Sequence, residues 1–158
     1  MAGVVIYRTG IAPDWIDYNG HLRDAYYGLI VSYAIDALME RIGLTAPYRT
    51  RTGCTLYTLE MHIHYLREIK SDASVVTEVR IIGADHKRIH AAFDLCCDPE
   101  SDPAATAEVM LLHVRQTPSV SSQPFPSELS AAIEELRQAT ASLPAGAHGS
   151  RRMQLAPR

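Results

Sequence analysis

Two aspartates and a histidine lie within one segment near the start of the chain, WIDYNGHLRD (residues 15–24), where an amphipathic helix is predicted to begin. Asp24 is a suitable N-cap for that helix, because its side chain can accept a hydrogen bond from an amide of the first turn. Capping does not require Asp17. A carboxylate in this position can act as a nucleophile or a general base, or it can bind the amides of its own loop, and both interpretations stay open.

Histidines offer a second kind of chemistry, which is metal binding. His62 and His64 form an HxH pair on one face of a predicted strand, and His90 and His113 lie on other predicted strands. Two imidazoles at the HxH spacing can bind one metal ion. A polar sheet face, such as one at a contact between subunits, is the simpler interpretation, and we therefore predict no metal site.

The three cysteines, Cys54, Cys96 and Cys97, lack the CxxC spacing of zinc or redox sites. Their odd number does not suggest a disulfide framework, and no base is arranged beside them for nucleophilic catalysis. We interpret them as buried small residues of a protein in a reducing, cytoplasmic environment.

Length and charge restrict the function further. A chain of 158 residues is most simply one domain with a real core. Fifteen basic and eighteen acidic residues give a net charge of −3, which does not favour a nucleic-acid partner. The most apolar stretch, residues 26–44, contains Asp36, Glu40 and Arg41, so no membrane span is predicted. The first ten residues do not resemble a signal peptide.

Hydrophobic periodicity predicts one strand, one long helix, four further strands and a final helix. The predicted strands are 3–9, 56–66, 74–82, 88–97 and 105–116, and the predicted helices are 26–42 and 127–139. Gly43 is placed to end the first helix. In the strand 56–66, alternation puts Tyr57 with Met61 and Ile63 on one face and Glu60 with His62 on the other. An acidic surface loop is predicted at 97–103.

The absence of repeats and of βαβ alternation argues against a parallel sheet. A single helix with a wide apolar face, followed by a meander of strands, predicts an α+β hotdog fold. In that fold a curved antiparallel sheet wraps around one long central helix, here with a C-terminal helix added. We predict one domain at residues 1–140 and a disordered tail at 141–158, which is rich in Gly, Ala and Pro.

The motif region carries a family likeness. The segment WIDYNGHLRDAYY resembles the DxDxxGHxxxxxY signature of hotdog acyl-CoA thioesterases of the 4-hydroxybenzoyl-CoA thioesterase type. Three further segments, LYTLEMHIHYL, GADHKRIH and ATAEVMLLHV, resemble the betainyl-CoA thioesterases of carnitine breakdown. Trp15 stands where the signature has its first aspartate. The second aspartate, which carries the chemistry in the family, is present as Asp17.

This resemblance implies a role for each polar residue of the motif. Asp17 would attack the thioester carbonyl or activate a water. The backbone amide of Asp24 would stabilise the negative charge that develops on the carbonyl oxygen. Asn19 and His21 would orient the carboxylate, the water or the thioester, and no cofactor is implied.

A betainyl group ends in a trimethylammonium, which cannot donate a hydrogen bond, so aromatic faces and a carboxylate would recognise it. We predict that the acyl pocket draws on aromatic residues in or near the motif segments and on one acid. These are Trp15, Tyr18, Tyr27, Tyr57 and Glu60. Core packing is the alternative role for each aromatic residue, and Glu60 lies on the strand face predicted to point away from the helix.

This sequence has no Gly-rich fingerprint that would bind coenzyme A. The resemblance implies that CoA lies along a subunit boundary, and Lys87 and Arg88 are our candidates for binding its phosphates. It also implies a homodimer or tetramer of hotdog subunits, with sheets paired edge to edge, which would cover an open sheet edge.

An acyl-CoA thioesterase acting on betainyl-CoA is therefore the leading hypothesis, and several alternatives remain. The chain could be a hotdog thioesterase of broader specificity, or a hydratase or dehydratase that uses His21. It could carry its catalytic acid within the helix, as Asp36 or Glu40, because another hotdog branch does so. It could also be a non-catalytic module that binds acyl or quaternary-ammonium groups, or a zinc enzyme built on the HxH pair.

Overall fold

The computed structural model describes residues 3–97 and 102–142. Its strands are β1 (Val4–Gly10), β2 (Cys54–Tyr65), β3 (Ser74–Ala84), β4 (Arg88–Cys96), β5 (Ala105–Arg115) and the short β6 (Ser121–Ser122). Its helices are α1 (Asp24–Arg41), α2 (Ala46–Thr52) and α3 (Ser127–Thr140), and a single 3-10 turn covers Pro13–Trp15.

The strands form one antiparallel sheet in the order β1-β3-β4-β5-β2, with β6 paired to the end of β5. Strands β3, β4 and β5 form the predicted meander, but the prediction is wrong for β2, which pairs with β5 instead of β3. The connection between β2 and β3 explains this order. The amides of Leu66 and Arg67 both donate to the Ala104 carbonyl, and the Ile69 carbonyl accepts from the Leu22 amide, so the chain turns towards the motif loop.

Helix α1 packs against the apolar face of this sheet and forms the core with it. Its fully buried residues include Ile30, Val31, Ala34 and Leu38. Four alternating residues of β4 meet this helix side and are completely inaccessible to solvent, namely Ile89, Ala91, Phe93 and Leu95. The predicted α+β arrangement, a curved antiparallel sheet around one central helix, is confirmed.

A bulge in β2 changes which side chains share a face. The pairing register with β5 shifts between Thr58 and Glu60, so one extra residue is inserted there. An inserted residue reverses the alternation on one side of the bulge. Met61 packs against the core with the buried Val109 opposite it, whereas Tyr57 lies opposite the less buried Leu112. The prediction that Tyr57 shares a face with Met61 is therefore wrong.

Helix α2 and strand β6 were not predicted, because each is too short to show a periodic pattern. Thr45 caps α2 by accepting a hydrogen bond from the Tyr48 amide at 3.4 Å. Gly53 ends the helix at φ 65°, in the left-handed region that glycine tolerates best. The helix directs Arg51 and Tyr48 towards the start of β2.

The ends of the two predicted helices are close to those observed. Gly43 follows α1 with φ 94°, and Leu129 of α3 lies near it, at 3.6 Å from the position of an added Cβ. Helix α3 buries Leu129, Ile133 and Leu136 at helical spacing, as predicted.

None of the helices formed by residues 3–97 and 102–142 is both long and apolar enough to cross a membrane. Residues 98–101 of the predicted acidic loop lie outside the described residues. So does the predicted tail from residue 143 onward.

Candidate active site

The segment from Trp15 to Arg23 folds into a tight hairpin that leads directly into α1. Ile16 pairs with Leu22, and the Arg23 amide donates to the Trp15 carbonyl at 3.0 Å. At the tip, the Gly20 amide donates to the Asp17 carbonyl, with Gly20 at φ 83°. The hairpin thus fixes Asp17 and the first residue of α1 relative to each other through backbone bonds.

The Asp17 carboxylate is half-buried and is held by this hairpin. Its Oδ1 accepts hydrogen bonds from the Asn19 amide at 2.8 Å and from the His21 amide at 3.1 Å. The His21 bond is the main cause that lowers the pKa of Asp17 below its ordinary value of 3.8, and the Asn19 bond adds to it. Both backbone bonds end on Oδ1, so the loop backbone leaves Oδ2 available to a water or a substrate. The group is therefore ionised at neutral pH, as a nucleophile or base must be.

Helix α1 begins one residue earlier than the capping prediction requires. Arg23 is the N-cap and makes no side-chain cap, and Asp24 is the first helical residue, so the predicted N-cap role of Asp24 is wrong. The Trp15–Arg23 backbone bond keeps Arg23 extended, which moves the helix start to Asp24. The Asp24 side chain instead accepts from the Ala25 amide at 2.8 Å. No described residue accepts from the Asp24 amide itself, as expected at a helix start.

A pocket of about 260 Å³ opens at this end of α1. The rings of Tyr27 and Tyr65 meet edge to face in its wall, with centroids 5.1 Å apart, and the Tyr65 hydroxyl donates to the Asp24 carbonyl at 3.3 Å. Burial raises the pKa of Tyr65, and the Asp24 charge raises it further. The pocket is lined by Leu22, Asp24, Tyr27, Tyr65, Leu66, Arg67 and Glu68. The pocket therefore combines a helix N-terminus, two aromatic rings and two carboxylates.

Tyr65 and Glu68 are absent from the sequence-based set of site residues. Tyr65 lies near the end of a predicted strand, and only the pairing of β2 with β5 brings that strand end beside the start of α1. Glu68 lies in the connection after β2, and its Oε2 is 3.2 Å from Nε2 of the His21 ring. The His21 ring therefore contacts Glu68, while the His21 amide, and not the ring, binds Asp17.

The predicted substrate residues fall into separate regions of one chain. Trp15 stacks on Tyr26 with centroids 5.4 Å apart, and Tyr18 is 93% exposed at the hairpin tip. Tyr27 lines the pocket. Tyr57 lies eight residues from Tyr65 along β2, which is roughly 26 Å.

Glu60 lies apart from the pocket as well. It pairs on the outer face of β2 with the His62 ring at 2.6 Å, and the bulge places it on the same face as Tyr57. Within a single chain the pocket thus has Tyr27 from the predicted set, together with the Asp24 that the motif supplied.

The alternative acids within the helix lie away from this pocket. Asp36 and Glu40 are both exposed, and Glu40 pairs with Arg49 at 3.3 Å. At 1.5 Å per residue they are roughly 18 and 24 Å along the axis of α1 from Asp24.

The histidines form carboxylate pairs. His62 bonds Glu60, and His90 bonds Glu108 at 2.5 Å. His113 is buried on the other side of the sheet, with its Nδ1 3.0 Å from the Gln123 carbonyl. Residues 3–97 and 102–142 contain no group of three His, Cys, Asp or Glu side chains close enough to hold a metal ion.

The three cysteines form no disulfide with one another. Cys54 and Cys96 are buried as predicted, but the prediction is wrong for Cys97, which is only partly buried because it lies just beyond the end of β4. Burial raises the pKa of the Cys96 thiol to about 11, which keeps it protonated at neutral pH. A protonated thiol is a poor nucleophile. This agrees with a packing role for Cys96.

Lys87 and Arg88 occupy the turn between β3 and β4, at the end of the molecule away from the pocket. Asp85 organises this turn by accepting from both amides, and the Arg88 guanidinium pairs with the same carboxylate at 2.6 Å. The Lys87 ammonium donates to the Ser122 hydroxyl of β6 at 3.3 Å.

Replacing Gly20 by alanine is expected to destabilise the protein by about 1 to 2 kcal/mol, because φ near 83° is strained for a residue with a Cβ. The free energy of unfolding in urea measures the loss. Gly83→Ala is the matched control, because Gly83 lacks a positive φ and has no atom within 4 Å of an added Cβ. Equal losses in both variants would show that the Gly20 conformation is not the cause.

Comparison with known proteins agrees with this geometry. A family model described as the thioesterase-like superfamily matches residues 11–133. A betainyl-CoA thioesterase from Pseudomonas aeruginosa is 44% identical over 138 residues, which cover 87% of this chain and 86% of that protein.

Two solved structures have the same fold over nearly the whole chain. The crystal structure of a candidate thioesterase from Pseudomonas putida has a TM-score of 0.85 and 38% identity, and covers 99% of both chains. A Staphylococcus aureus protein solved in complex with CoA has a TM-score of 0.87 and 25% identity, and covers 99% of this chain and 98% of that one. The family model spans most of the chain and the Pseudomonas aeruginosa relative is nearly as long, so the chain belongs to the thioesterase-like superfamily.

Proposed function

We propose that this chain is a cytoplasmic acyl-CoA thioesterase that hydrolyses betainyl-CoA to betaine and CoA, as a step of carnitine breakdown. The observation that carries the proposal is the placement of an ionised carboxylate, Asp17, in the hairpin that delivers the uncapped N-terminus of α1 to the pocket. The Pseudomonas aeruginosa relative, a betainyl-CoA thioesterase, supports the choice of substrate. Three cysteines that form no disulfide with one another are consistent with a reducing compartment.

The reaction needs a group that delivers oxygen and a group that holds negative charge. Asp17 supplies the first: either its Oδ2 attacks the carbonyl carbon and water then hydrolyses the anhydride, or it takes a proton from a water that attacks. Both routes pass through a tetrahedral oxyanion. The Asp24 amide, at the positive end of α1, donates to that oxygen. The intermediate then breaks its C–S bond, and CoA leaves as a thiolate that takes up a proton.

The Asn19 and His21 amides position the carboxylate in this scheme, since both donate to Oδ1. The His21 ring acts through its contact with Glu68, at the rim of the pocket. Neither ring nor amide of His21 needs to change its protonation state, so His21 is a positioning residue in this proposal.

The short distance between the betainyl cation and the thioester carbonyl determines where the cation binds. Only one methylene separates the trimethylammonium from the thioester carbonyl, so the cation lies beside whichever group binds the carbonyl oxygen. The exposed Tyr65 offers an aromatic face there, the buried Tyr27 ring packs against it, and the Asp24 carboxylate stands at the same helix start as the oxyanion amide. We therefore place the cation between these three residues. Trp15 and Tyr18 would close the site from the hairpin side.

We further propose that two copies pair through β2, as a homodimer that can assemble further into a tetramer. Strand β2 is an edge of the sheet, and it exposes large apolar side chains there: Leu59 is 55% and Tyr65 54% exposed. An exposed apolar edge strand is unusual in a monomer. Pairing two such edges would cover it, and would bring Tyr57 of the partner subunit and Glu60 of the partner subunit towards this region.

A non-catalytic binding module is the second candidate. The observation in its favour is that Asp17 already has a structural role, because its carboxylate holds the hairpin together. In that case the pocket would bind a quaternary ammonium without cleaving anything.

The test is release of free CoA thiol from betainyl-CoA and from 3,3-dimethylbutanoyl-CoA, its neutral isostere in which carbon replaces nitrogen. The proposal predicts that betainyl-CoA is hydrolysed with the higher kcat/KM. Equal rates on both esters would show a thioesterase of broader specificity. Saturable binding of betainyl-CoA with no thiol released would favour the binding module.

A further inference from the structure

A second, larger cavity, of about 660 Å³, lies at the other end of α1. Gly43 after α1, helix α2, the start of β2, the end of β5 and the start of α3 meet around it. The 18 residues of α1, at 1.5 Å each, separate it by roughly 27 Å from the pocket beside Asp24. Nothing in the proposed hydrolysis uses this cavity.

The lining of the cavity is positively charged. Arg51 of α2 and Arg115 of β5 both line it, both are exposed, and neither forms an ion pair with an acid among the described residues. Helix α3 begins here with Pro126 as its N-cap, which has no side-chain cap, so the amides of its first turn add to the positive potential. Glu128 is the acid in the lining and offsets one of the two arginines.

Aromatic rings line the same cavity. The His113 and Phe125 rings stack with centroids 5.0 Å apart, and the Tyr48 hydroxyl is 3.4 Å from Nε2 of His113. The Arg51 guanidinium lies over the Tyr48 ring at 5.7 Å from its centroid. Burial lowers the pKa of His113, so this ring is neutral at pH 7 and contributes surface, not charge. Guanidinium planes and aromatic rings are surfaces on which purine bases stack.

Two arginines that form no direct ion pair among the described residues, beside an aromatic wall, fit a ligand that carries phosphate and a flat base. We propose that this cavity binds the 3′-phosphorylated adenine nucleotide of coenzyme A, with Arg51 and Arg115 on the phosphates and the base against Tyr48 and its neighbours. The inference rests on the proposed function, because CoA is the leaving group of that reaction. It assigns the CoA phosphates to Arg51 and Arg115 instead of Lys87 and Arg88, whose turn borders the cavity, since the His113 amide donates to the Lys87 carbonyl at 2.8 Å.

The turn is the weaker site because one of its two positive charges is already paired with an acid. Asp85 pairs with Arg88 at 2.6 Å, and the Lys87 ammonium bonds Ser122. Arg51 and Arg115 have no such partners among the described residues. A phosphate arriving at the turn would compete with the Asp85 carboxylate, whereas one arriving at the cavity would not.

Strand β2 connects the cavity to the site of hydrolysis. Cys54, its first residue, lines the cavity, and Tyr65, its last residue, lines the pocket beside Asp24. Antiparallel pairing of two β2 edges would place the Cys54 end of one copy beside the Tyr65 end of the other. The nucleotide held by one protomer would then belong to the thioester cleaved by its partner.

Titration with adenosine 3′,5′-bisphosphate, the nucleotide fragment of CoA, tests the cavity without any thioester cleavage. Arg51→Gln and Arg115→Gln are each expected to raise its Kd about tenfold, since a charge-assisted phosphate contact is lost. Arg8→Gln, which removes an exposed arginine from β1, is the matched control. Unchanged affinity in both cavity variants would overturn the assignment, and so would a loss caused instead by Lys87→Gln and Arg88→Gln.

A comparison of betainyl-CoA with betainyl-pantetheine, which lacks the nucleotide, tests whether the cavity binds the substrate during the reaction. In the wild type we expect the CoA ester to have the lower KM, and in the arginine variants we expect the two KM values to converge. Nucleotide binding that depends on both arginines, together with an unchanged KM difference, would overturn the assignment to CoA and indicate a site for a free nucleotide. If betainyl-CoA is not a substrate but the titration gives the expected losses, the cavity assignment stands and the proposed function fails.

Discussion

Replacing Asp17 by asparagine is expected to lower kcat for betainyl-CoA by about 10²–10⁴-fold, the usual contribution of a positioned acid–base group. The ionised oxygen that the hairpin backbone leaves available, Oδ2, is the atom lost as a nucleophile or base. The pKa of Asp17 is lowered by the His21 amide, so the wild-type residue is fully ionised at neutral pH and its charge is present when the substrate arrives. Thiol release under saturating substrate measures the loss.

Asparagine is the sharpest replacement because it separates the two roles of this residue. Its amide oxygen can still accept from the Asn19 and His21 amides, which keeps the hairpin folded. We therefore expect a melting temperature close to that of the wild type. Asp36→Asn tests the rival acid on α1 and is expected to retain activity. If Asp36→Asn is inactive and Asp17→Asn is active, the catalytic acid lies within the helix.

Strand β4 shows why much of the fold could be predicted from the sequence. Its apolar residues alternate without interruption, and Phe93 and its alternate neighbours are completely buried. Alternation is a local property, so it is visible in the sequence wherever the strand is regular. The single wide-faced helix is equally local, and together these patterns predict the layers of the fold.

Strand β2 shows where that reasoning fails. A single inserted residue between Thr58 and Glu60 reverses which side chains of β2 face the core. No residue type in LYTLE marks the position of this bulge. The predicted pairing partner of β2 was wrong for a related reason. Its pairing with β5 depends on contacts made by the connection 66–73, such as the bond between Leu22 and Ile69, and these join segments distant in sequence.

The same distinction applies to the site. Asp17, Asn19 and His21 could be identified from one short motif, and the hairpin brings the Asp17 carboxylate and the amides of Asn19 and His21 together through local bonds. Tyr65 and Glu68 reach the pocket only through the order of strands in the sheet. The N-cap prediction for Asp24 failed because a tertiary bond, from the Arg23 amide to the Trp15 carbonyl, overrode the capping preference of aspartate.

Replacing Asp24 by asparagine is expected to lower the preference for betainyl-CoA over 3,3-dimethylbutanoyl-CoA by about tenfold to hundredfold. The expected energy is about 1 to 3 kcal/mol, which is the attraction of two unit charges roughly 5 Å apart at dielectric constants between those of water and of a protein surface. Asparagine keeps the backbone amide at the start of α1 and can still accept from the Ala25 amide. The oxyanion donor is therefore retained, and the change should fall on kcat/KM of the cationic ester alone.

The ratio of kcat/KM values for the two esters is the measurement, because any general damage to the enzyme lowers both values and cancels. Asp14→Asn removes a charge from the nearby 3-10 turn, outside the pocket, and is the matched control. Glu60→Gln tests the rival acid on the outer face of β2. If Glu60→Gln lowers the ratio and Asp24→Asn does not, a neighbouring subunit supplies the carboxylate for the cation, and the pocket beside Asp24 binds only the thioester carbonyl.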